Sequence, residues 1–266
     1  MPLTAWYCKG CNGDRVPLDH FDTSECGERV CHPNYAARVL HRANHHRDKL
    51  VPTIAEVSHG IGCVRQYAMM DAVDYAIDPQ SNNAVLSGSA FHAEMERGET
   101  DGALAEKRVA GEVGGISLQG TVDLLRPWRL LIEDWKTGND FTAKYLKRDG
   151  PKAHYILQLG LYAALVQQTY DWTPTRGILW FQYRADGLIP RPVPILPIEE
   201  VLAAKPKGGE FTVRELLQSA ANYWKGAVKW QDLPLAGKSQ SFGTKSACDY
   251  CALRPQCWEQ ATGAPF

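Results

Sequence analysis

The stretch Leu130–Gly138 constrains the fold more than any other part of the chain. An apolar run ends in Asp134 and Lys136 and then breaks at a glycine, which is typical of a buried strand that ends at a turn. Because residues i and i+2 of a strand point to the same face, these two side chains are predicted to lie side by side. Trp135 and the neighbouring acid Glu133 fall on the other face. A carboxylate beside an ammonium group suits either a strand-end ion pair or metal-assisted phosphodiester hydrolysis.

Composition leaves a globular enzyme open and excludes some other classes. Hydrophobic content of 44% and charged content of 22% in 266 residues allow a sizeable core. The formal net charge of −1 excludes a strongly basic coating protein but not local basic patches. No apolar run is long enough to span a membrane, and the N-terminus lacks the pattern of a secretory signal. We therefore expect a cytoplasmic protein.

The eight cysteines are more consistent with metal ligands than with disulfides in such a protein. Four of them form two close pairs near the N-terminus: Cys8, Cys11, Cys26 and Cys31. Two such pairs can place four thiolates around one structural Zn²⁺, with His20 or His32 as possible substitutes and free buried thiols as the alternative. We predict a zinc-ribbon-like module at residues 1–34. Residues 35–53 then form a basic helical linker, whose charges either contact phosphate or are simply solvated.

The rest of the chain alternates between helical and strand patterns. Helices are predicted at about 57–77, with Ser58 as N-cap and Cys63 one turn inside, and at 84–97, 153–170 and 212–229. Strands are predicted at about 105–111, 116–125, 175–183 and, as an edge, 188–193. The first two strands are joined by a Gly-Gly hairpin turn. Lys144, Lys147, Arg148 and Lys152 form a basic cluster around a loop at Gly150 and Pro151. This order fits an α/β domain with a mixed central sheet flanked by helices.

Groups able to hold a cation occur at intervals along these elements. His92 and Glu96 are four residues apart and share one helix face. Asp123 lies in an otherwise apolar strand, where an unpaired charge is costly and a ligand role would satisfy it. Gln158 and Tyr162 share one face of the long helix.

Taken in order, these motifs resemble those of the PD-(D/E)XK nuclease superfamily and, within it, the RecB-like exonuclease group. The matching motifs are Gly88-x3-His92-x3-Glu96, Gly120-x2-Asp123, Asp134-x-Lys136-Thr-Gly138 and Gln158-x3-Tyr162. Ser58-x4-Cys63-x-Arg65-Gln-Tyr67 is similar to the N-terminal helix of that group. The resemblance implies a restriction-endonuclease-like core in a nuclease domain at residues 54–266.

The remaining cysteines resemble those of the iron–sulfur branch of this group, which includes the AddB subunit of bacterial helicase–nucleases and CRISPR-associated protein four. One cysteine precedes the core and three follow it: Cys63, Cys248, Cys251 and Cys257. The resemblance implies that they hold a four-iron four-sulfur cluster, which would clasp the N- and C-terminal arms together. Zinc could occupy the same four sulfurs.

The resemblance also implies roles for the site residues. His92, Asp123, Asp134 and the main-chain carbonyl of Trp135 would bind Mg²⁺ or Mn²⁺. Lys136 would position the attacking water, and Gln158 and Tyr162 would line the site. Glu96 and Glu106 are candidates for an outer shell around these ligands.

The expected function is a metal-dependent DNA exonuclease acting on single-stranded DNA or on DNA with a free end. A second hypothesis is a DNA-end processing subunit for an integrase or recombination complex, with protein partners in recombination, repair or CRISPR adaptation. A third is a non-catalytic DNA-binding module. The chain lacks a Gly-x4-Gly-Lys-Ser/Thr phosphate loop, so it is not expected to be a helicase by itself.

Overall fold

A computed structural model describes most of the central part of the chain and separate pieces of both ends. The described residues are 5–7, 15–17, 53–54, 63–73, 76–77, 88, 90–94, 97, 102–138, 140–183, 187–205, 211–234, 241–242, 245–246, 251, 253–254 and 256–257. Several predictions fall outside them: the zinc ligands Cys8, Cys11, Cys26 and Cys31, the alternatives His20 and His32, residues 35–52 of the linker, Ser58, Glu96 and Cys248. The zinc-ribbon-like module therefore stays a prediction.

Three short strands form a small sheet near the N-terminus. β1 (Ala5–Tyr7) pairs antiparallel with β2 (Arg15–Pro17) and parallel with β3 (Ala76–Ile77). The connection between β1 and β2 carries Cys8 and Cys11, which lie outside the described residues.

A five-stranded mixed sheet forms the centre of the described structure, as the sequence predicted. Its strands, in spatial order, are β4 (Leu104–Val113), β5 (Ile116–Arg126), β6 (Leu131–Gly138), β7 (Arg176–Tyr183) and β8 (Gly187–Pro194). β6 and β7 are parallel, and the other neighbours are antiparallel. A separate hairpin pairs β9 (Ser241–Phe242) with β10 (Lys245–Ser246).

Local sequence explains both the turn and the edge of this sheet. Gly114 and Gly115 both have positive φ, 59° and 80°, which a two-residue hairpin turn requires. Pro190 and Pro192 cannot donate to a ladder, and the strand that carries them, β8, lies at the sheet edge. The predicted hairpin and the predicted edge strand are both confirmed.

Five α-helices have full bounds, and further helical residues are described in part. They are α1 (Val64–Ala72), α2 (Asp140–Asp149), α3 (Ala153–Tyr170), α4 (Ile198–Ala203) and α5 (Val213–Trp224). Residues 88, 90–94 and 97 are also helical, and we call them the His92 helix. In the described part of the chain, no helix is long and apolar enough to cross a membrane.

The main core lies between α3 and the sheet. α3 is buried over most of its length, from Leu157 to Val166, because the sheet lies on one side of it and α4 contacts another. Parallel strands cannot be joined by a hairpin, so the chain between β6 and β7 must cross over, and α2 and α3 form that crossover. The bounds predicted for α3 are confirmed.

A second apolar cluster brings the two ends of the described chain together. Residues of α1 and α5 pack there with Trp230, Leu233 and Leu253, and Cys251 and Cys257 pack against them. The buried Arg65 of α1 donates to the main-chain oxygen of Trp230 at 3.2 Å.

The predicted helix at 57–77 is wrong in its bounds. Cys63 lies at the N-cap of α1 with extended backbone, not one turn inside the helix. The β-branched Val73 is also extended and ends α1, and residues 76–77 form β3.

Two other helix predictions also differ from the structure. The helix predicted at 212–229 ends at Trp224, and Gly226 follows with φ 70°, a conformation typical of helix ends. α2 lies where the sequence analysis placed only a basic cluster and a loop, and α4 was not predicted.

The approach of α4 to α3 depends on Gly160. A Cβ at this position would lie 2.5 Å from Cγ2 of the buried Val201. We predict that Gly160→Ala destabilises the protein by about 1–3 kcal/mol, because overpacking outweighs the gain in helix propensity. Urea unfolding measures this change.

Val201→Ala removes the conflicting methyl group and serves as the matched test. The double variant Gly160→Ala, Val201→Ala should lose less stability than the sum of the two single losses. Additive losses would contradict a steric conflict between the two positions.

Candidate active site

The candidate site lies where β5 and β6 separate. Their pairing covers Leu124–Arg126 and Leu131–Glu133, and the next residues towards the site are Asp123 and Asp134. Beyond this point β6 continues to pair with β7 as far as Gly138. Asp123 Oδ2 accepts the Trp135 N–H at 2.6 Å, so a carboxylate takes the place of a main-chain acceptor from β5. The opening between the strands is thus lined by two buried acids.

Three side chains from three elements converge beside this opening. His92 Nδ1 lies 3.0 Å from Glu106 Oε1 and 3.6 Å from Asp123 Oδ1. One ligand atom from each residue lies within 4.8 Å of the other two, which is close enough for all three to contact one cation. The side chains of His92 and Glu106 are 32% and 27% exposed, and that of Asp123 is 10% exposed. The group therefore opens to solvent on the side of the His92 helix and β4.

Glu106 has an unusual backbone conformation. Its φ is +49°, in the left-handed region that costs an L-residue roughly 1–2 kcal/mol. It lies between the pairs Ala105↔Leu124 and Lys107↔Val122, directly across from Asp123. Strained residues of this kind cluster at functional sites. Sequence reasoning placed Glu106 only in an outer shell, whereas the structure places its carboxylate against His92.

Lys136 is held by a chain of contacts on the same face as Asp134. Its Nζ lies 2.5 Å from Asp134 Oδ2 and donates to Gln158 Oε1 at 3.2 Å. Gln158 Nε2 in turn donates to the Tyr162 hydroxyl at 3.5 Å. Burial lowers the pKa of Lys136, but Asp134 and Asp123 outweigh it, so the pKa stands above its usual value. The ammonium group is therefore charged at neutral pH.

Tyr155 also contributes to the setting of the lysine, and sequence reasoning missed it. Lys136 Nζ lies 5.0 Å from the centre of the Tyr155 ring, within the range of a cation–π contact. Burial raises the pKa of the Tyr155 hydroxyl, which is thus neutral. Tyr155 precedes Gln158 by three residues and shares its helix face, a spacing that could have suggested this role.

The adjacent acid Glu133 points the other way, as strand alternation predicted. It pairs with Arg126 and accepts the indole N–H of Trp180 at 2.6 Å. Its contacts stabilise the sheet face opposite to that of Lys136.

The glycine at position 120 of the motif is explained by the space available there. A Cβ at this position would lie 2.7 Å from Cε1 of Tyr162. A glycine on β5 therefore lets the Tyr162 ring pack against the strand that carries Asp123. Burial also raises the pKa of Tyr162 above its ordinary value, which keeps its hydroxyl protonated.

The His92 imidazole also packs against aromatic rings. The rings of Phe91 and His92 both meet the Trp135 ring edge to face, with centroids 6.3 Å and 5.6 Å away. Trp135 is buried, so the His92 helix is fixed against β6 by its own neighbouring side chains.

The electrostatics of the site indicate a missing positive charge. Burial and the charge of Asp134 raise the pKa of Asp123 to about 7, against the opposing effects of Lys136 and His92. Glu106 is a third acid in the same place, while Lys136 is one permanent cation. With all three acids ionised and the histidine neutral, these groups carry a formal charge of −2. Among the described residues, the buried Asp134 Oδ2 is contacted by the Lys136 ammonium group at 2.5 Å, so that single cation faces the whole group of acids.

The structure brings the predicted catalytic side chains into one connected group. His92, Asp123, Asp134, Lys136, Gln158 and Tyr162 are linked by the contacts given above. Cys63, Cys251 and Cys257 are half-buried at or beside the second apolar cluster, apart from this group.

Comparison with solved structures finds several similar proteins, including the two that follow, all with low sequence identity. The protein SSO0001 is 13% identical with a TM-score of 0.49, over 81% of this chain and 89% of that one. A phage-related exonuclease from Haemophilus somnus 129PT is 15% identical with a TM-score of 0.37, over 66% of this chain and 94% of that one. No curated protein sequence matches the chain at a significant level.

Comparison with models of protein families gives a match over about two thirds of the chain. The family model of the PD-(D/E)XK nuclease superfamily matches residues 84–258, which include the His92 helix, the five-stranded sheet and all the side chains of the site. The chain belongs to the PD-(D/E)XK nuclease superfamily.

Proposed function

We propose that the chain is a divalent-metal-dependent exonuclease that hydrolyses phosphodiester bonds at the ends of single-stranded DNA. The observation that carries this proposal is the convergence of His92, Glu106 and Asp123 beside the Asp134–Lys136 pair. Membership of the nuclease superfamily supports the reaction class. The preference for single-stranded ends extends the resemblance of the motifs to the RecB-like exonuclease group.

The residues present fit a divalent cation. The convergent group offers carboxylate oxygens and one imidazole, the buried Asp134 lies beside it with Lys136 as its counter-ion, and a formal charge of −2 matches one such ion. Mg²⁺ prefers oxygen ligands, and an imidazole makes Mn²⁺ an alternative. We assign His92, Asp123 and Asp134 as ligands, and we add Glu106 to them.

The main-chain carbonyl of Trp135 is the remaining proposed ligand. In an extended strand, the N–H and C=O of one residue point to the same edge. The Trp135 N–H reaches Asp123 on β5, so its carbonyl is directed to the same opening between the strands. This supports a ligand role that the side-chain pattern alone does not address.

The bound cation would supply Lewis acidity to the scissile phosphate and lower the pKa of a water molecule. Lys136, charged and held by Asp134, Gln158 and the Tyr155 ring, offsets negative charge that develops on the phosphate and orients the water. The Tyr162 hydroxyl stays protonated and accepts a hydrogen bond from Gln158. It thus orients Gln158, and through it Lys136, without exchanging a proton.

We also propose that Cys63, Cys248, Cys251 and Cys257 hold a four-iron four-sulfur cluster, with structural zinc at the N-terminal quartet. The packing of Cys251 and Cys257 against the same apolar cluster as α1, whose N-cap is Cys63, supports a clasp between the two arms. Burial raises the pKa of the Cys257 thiol, although Arg65 opposes this effect. Zinc could still take the same sulfurs.

Replacement of either member of the central ion pair should abolish cleavage. Lys136→Ala removes the charge that meets the phosphate, and Asp134→Ala removes a proposed metal ligand. We expect activity on end-labelled single-stranded DNA with Mn²⁺ to fall by at least about a thousandfold, which corresponds to roughly 4 kcal/mol of transition-state stabilisation.

The neighbouring Glu133→Gln is the matched control. It changes an acid one residue away that faces Arg126 and Trp180, so stability should fall while cleavage persists. Circular dichroism must show a folded protein in each case. Full activity in either alanine variant would remove these residues from the mechanism.

The metal-free protein should lose stability as pH rises from about 5 to about 8. The pKa of Asp123 is about 7 in the folded chain against 3.8 ordinarily, so folding favours its protonated form and that contribution is lost above the folded pKa. The pKa of His92 is also raised, because the effects of Glu106 and Asp123 outweigh that of burial. Its titration therefore also lowers the stability as pH rises. Unfolding in EDTA measures the slope.

Asp123→Asn should flatten this slope, since it removes the group that titrates. Mn²⁺ should restore stability at the higher pH in the unaltered protein and do so far less in Asp123→Asn. A wild-type stability that is independent of pH would contradict the buried charge repulsion.

Substitution of the clasp cysteines gives a separate prediction. Protein purified without oxygen should be brown with broad visible absorbance, and Cys257→Ser should lose both the colour and stoichiometric iron. Cys11→Ser should keep the colour and lose zinc instead. Colourless protein with zinc at both sets of sulfurs would overturn the cluster.

A further inference from the structure

α2 presents an exposed face directly after the strand of the site. It begins two residues beyond the end of β6, which carries Asp134 and Lys136. Ala143 and Leu146 are buried in the main core, which fixes the inward face of the helix. The side chains from 144 to 149 other than Leu146 are exposed: Lys144, Tyr145, Lys147, Arg148 and Asp149. One face of this helix is thus anchored and the other meets solvent.

The exposed face is positively charged in a chain that is nearly neutral. Among the described side chains of α2, which begin at residue 143, three cations and one acid, Asp149, give a local charge of +2, whereas the whole chain carries −1. Asp149 is already bound by Arg148 through two contacts of 2.7 Å. Lys144 and Lys147 lie one turn apart along the same side of the helix.

An aromatic ring lies among these cations. Tyr145 is 37% exposed, and the Arg148 guanidinium lies 4.7 Å from the centre of its ring. The contact holds the ring in place at the surface. A surface that binds single-stranded DNA has two parts. Cations contact the phosphate backbone, and an exposed aromatic ring stacks on a base.

We propose that this face of α2, from Lys144 to Arg148, binds the DNA strand that enters the site, with a base stacked on Tyr145 and phosphates on Lys144 and Lys147. The inference rests on the proposed nuclease function and names how its substrate is held. Lys144 and Arg148 are separated by about 6 Å along the helix axis, so the face can contact neighbouring groups of one strand. α2 directly follows β6, which carries Asp134 and Lys136, and this continuity is the reason for assigning the face to the strand that enters the site.

Binding and cleavage are tested separately. In full-length Lys136→Ala protein, fluorescence anisotropy with labelled oligothymidylate reports affinity without degradation. When Tyr145→Ala is introduced into this Lys136→Ala protein, binding should weaken by about 5- to 150-fold. Tyr145→Phe in the same protein should keep the affinity of the parent, because the ring remains. Lys144→Gln with Lys147→Gln should reduce the slope of log affinity against log salt by about 1.4, or about 0.7 for each lost phosphate contact.

Lys205→Gln with Lys225→Gln is the matched control. It removes the same charge from two exposed lysines outside α2 and should leave the salt slope unchanged. In protein with Lys136 intact, the α2 variants should raise KM for a long strand more than they lower kcat.

The outcomes distinguish this proposal from the function on which it rests. If the unaltered protein cleaves no strand with Mn²⁺, the nuclease assignment fails, while anisotropy still reports on α2. If the α2 variants bind oligothymidylate as tightly as their parent, the strand-binding face is overturned and an acidic protein surface becomes the occupant to test. Equal losses in the α2 pair and in the Lys205–Lys225 pair would also overturn it, because the effect would then be one of net charge.

Discussion

The hydrogen bond from the Trp135 N–H to the Asp123 carboxylate determines how the sheet opens. A main-chain acceptor here would continue the ladder and close the space between β5 and β6. A carboxylate satisfies the same donor but brings a charge into a buried place, where it meets Asp134. The geometry and the electrostatics of the site therefore have one origin: the strands part because an acid replaces a ladder partner.

The helix α3 contributes both to the apolar core and to the candidate site. Its apolar surface fills the space above the sheet, and Gln158 and Tyr162 extend from it to Lys136. The motifs Gly120-x2-Asp123 and Gln158-x3-Tyr162 are in contact in the structure, because the glycine of the first makes room for the tyrosine ring of the second. A helix packed into the core and a central strand of the sheet thus hold the lysine between them, which is the arrangement that the proposed positioning role needs.

Much of this arrangement could be predicted from local patterns. The hairpin of β4 and β5, the edge position of β8 and the bounds of α3 follow from turn glycines, prolines and apolar content. α2 was missed because only Ala143 and Leu146 among its last seven residues are buried, so its pattern resembled a polar loop. Glu106 was undervalued because left-handed backbone at a non-glycine residue arises from tertiary contacts and leaves no mark in the sequence.

The conformation of Glu106 also limits which residues this position can accept. Its backbone favours glycine, asparagine or aspartate, whereas the proposed role at this position draws on the negative charge of a carboxylate. Of these three residue types aspartate alone carries a negative charge, and its shorter side chain would have to reach the same cation. Even the exchange of glutamate for aspartate would therefore draw the carboxylate back from the His92 imidazole, because the backbone at this position is fixed by the pairs on either side of it.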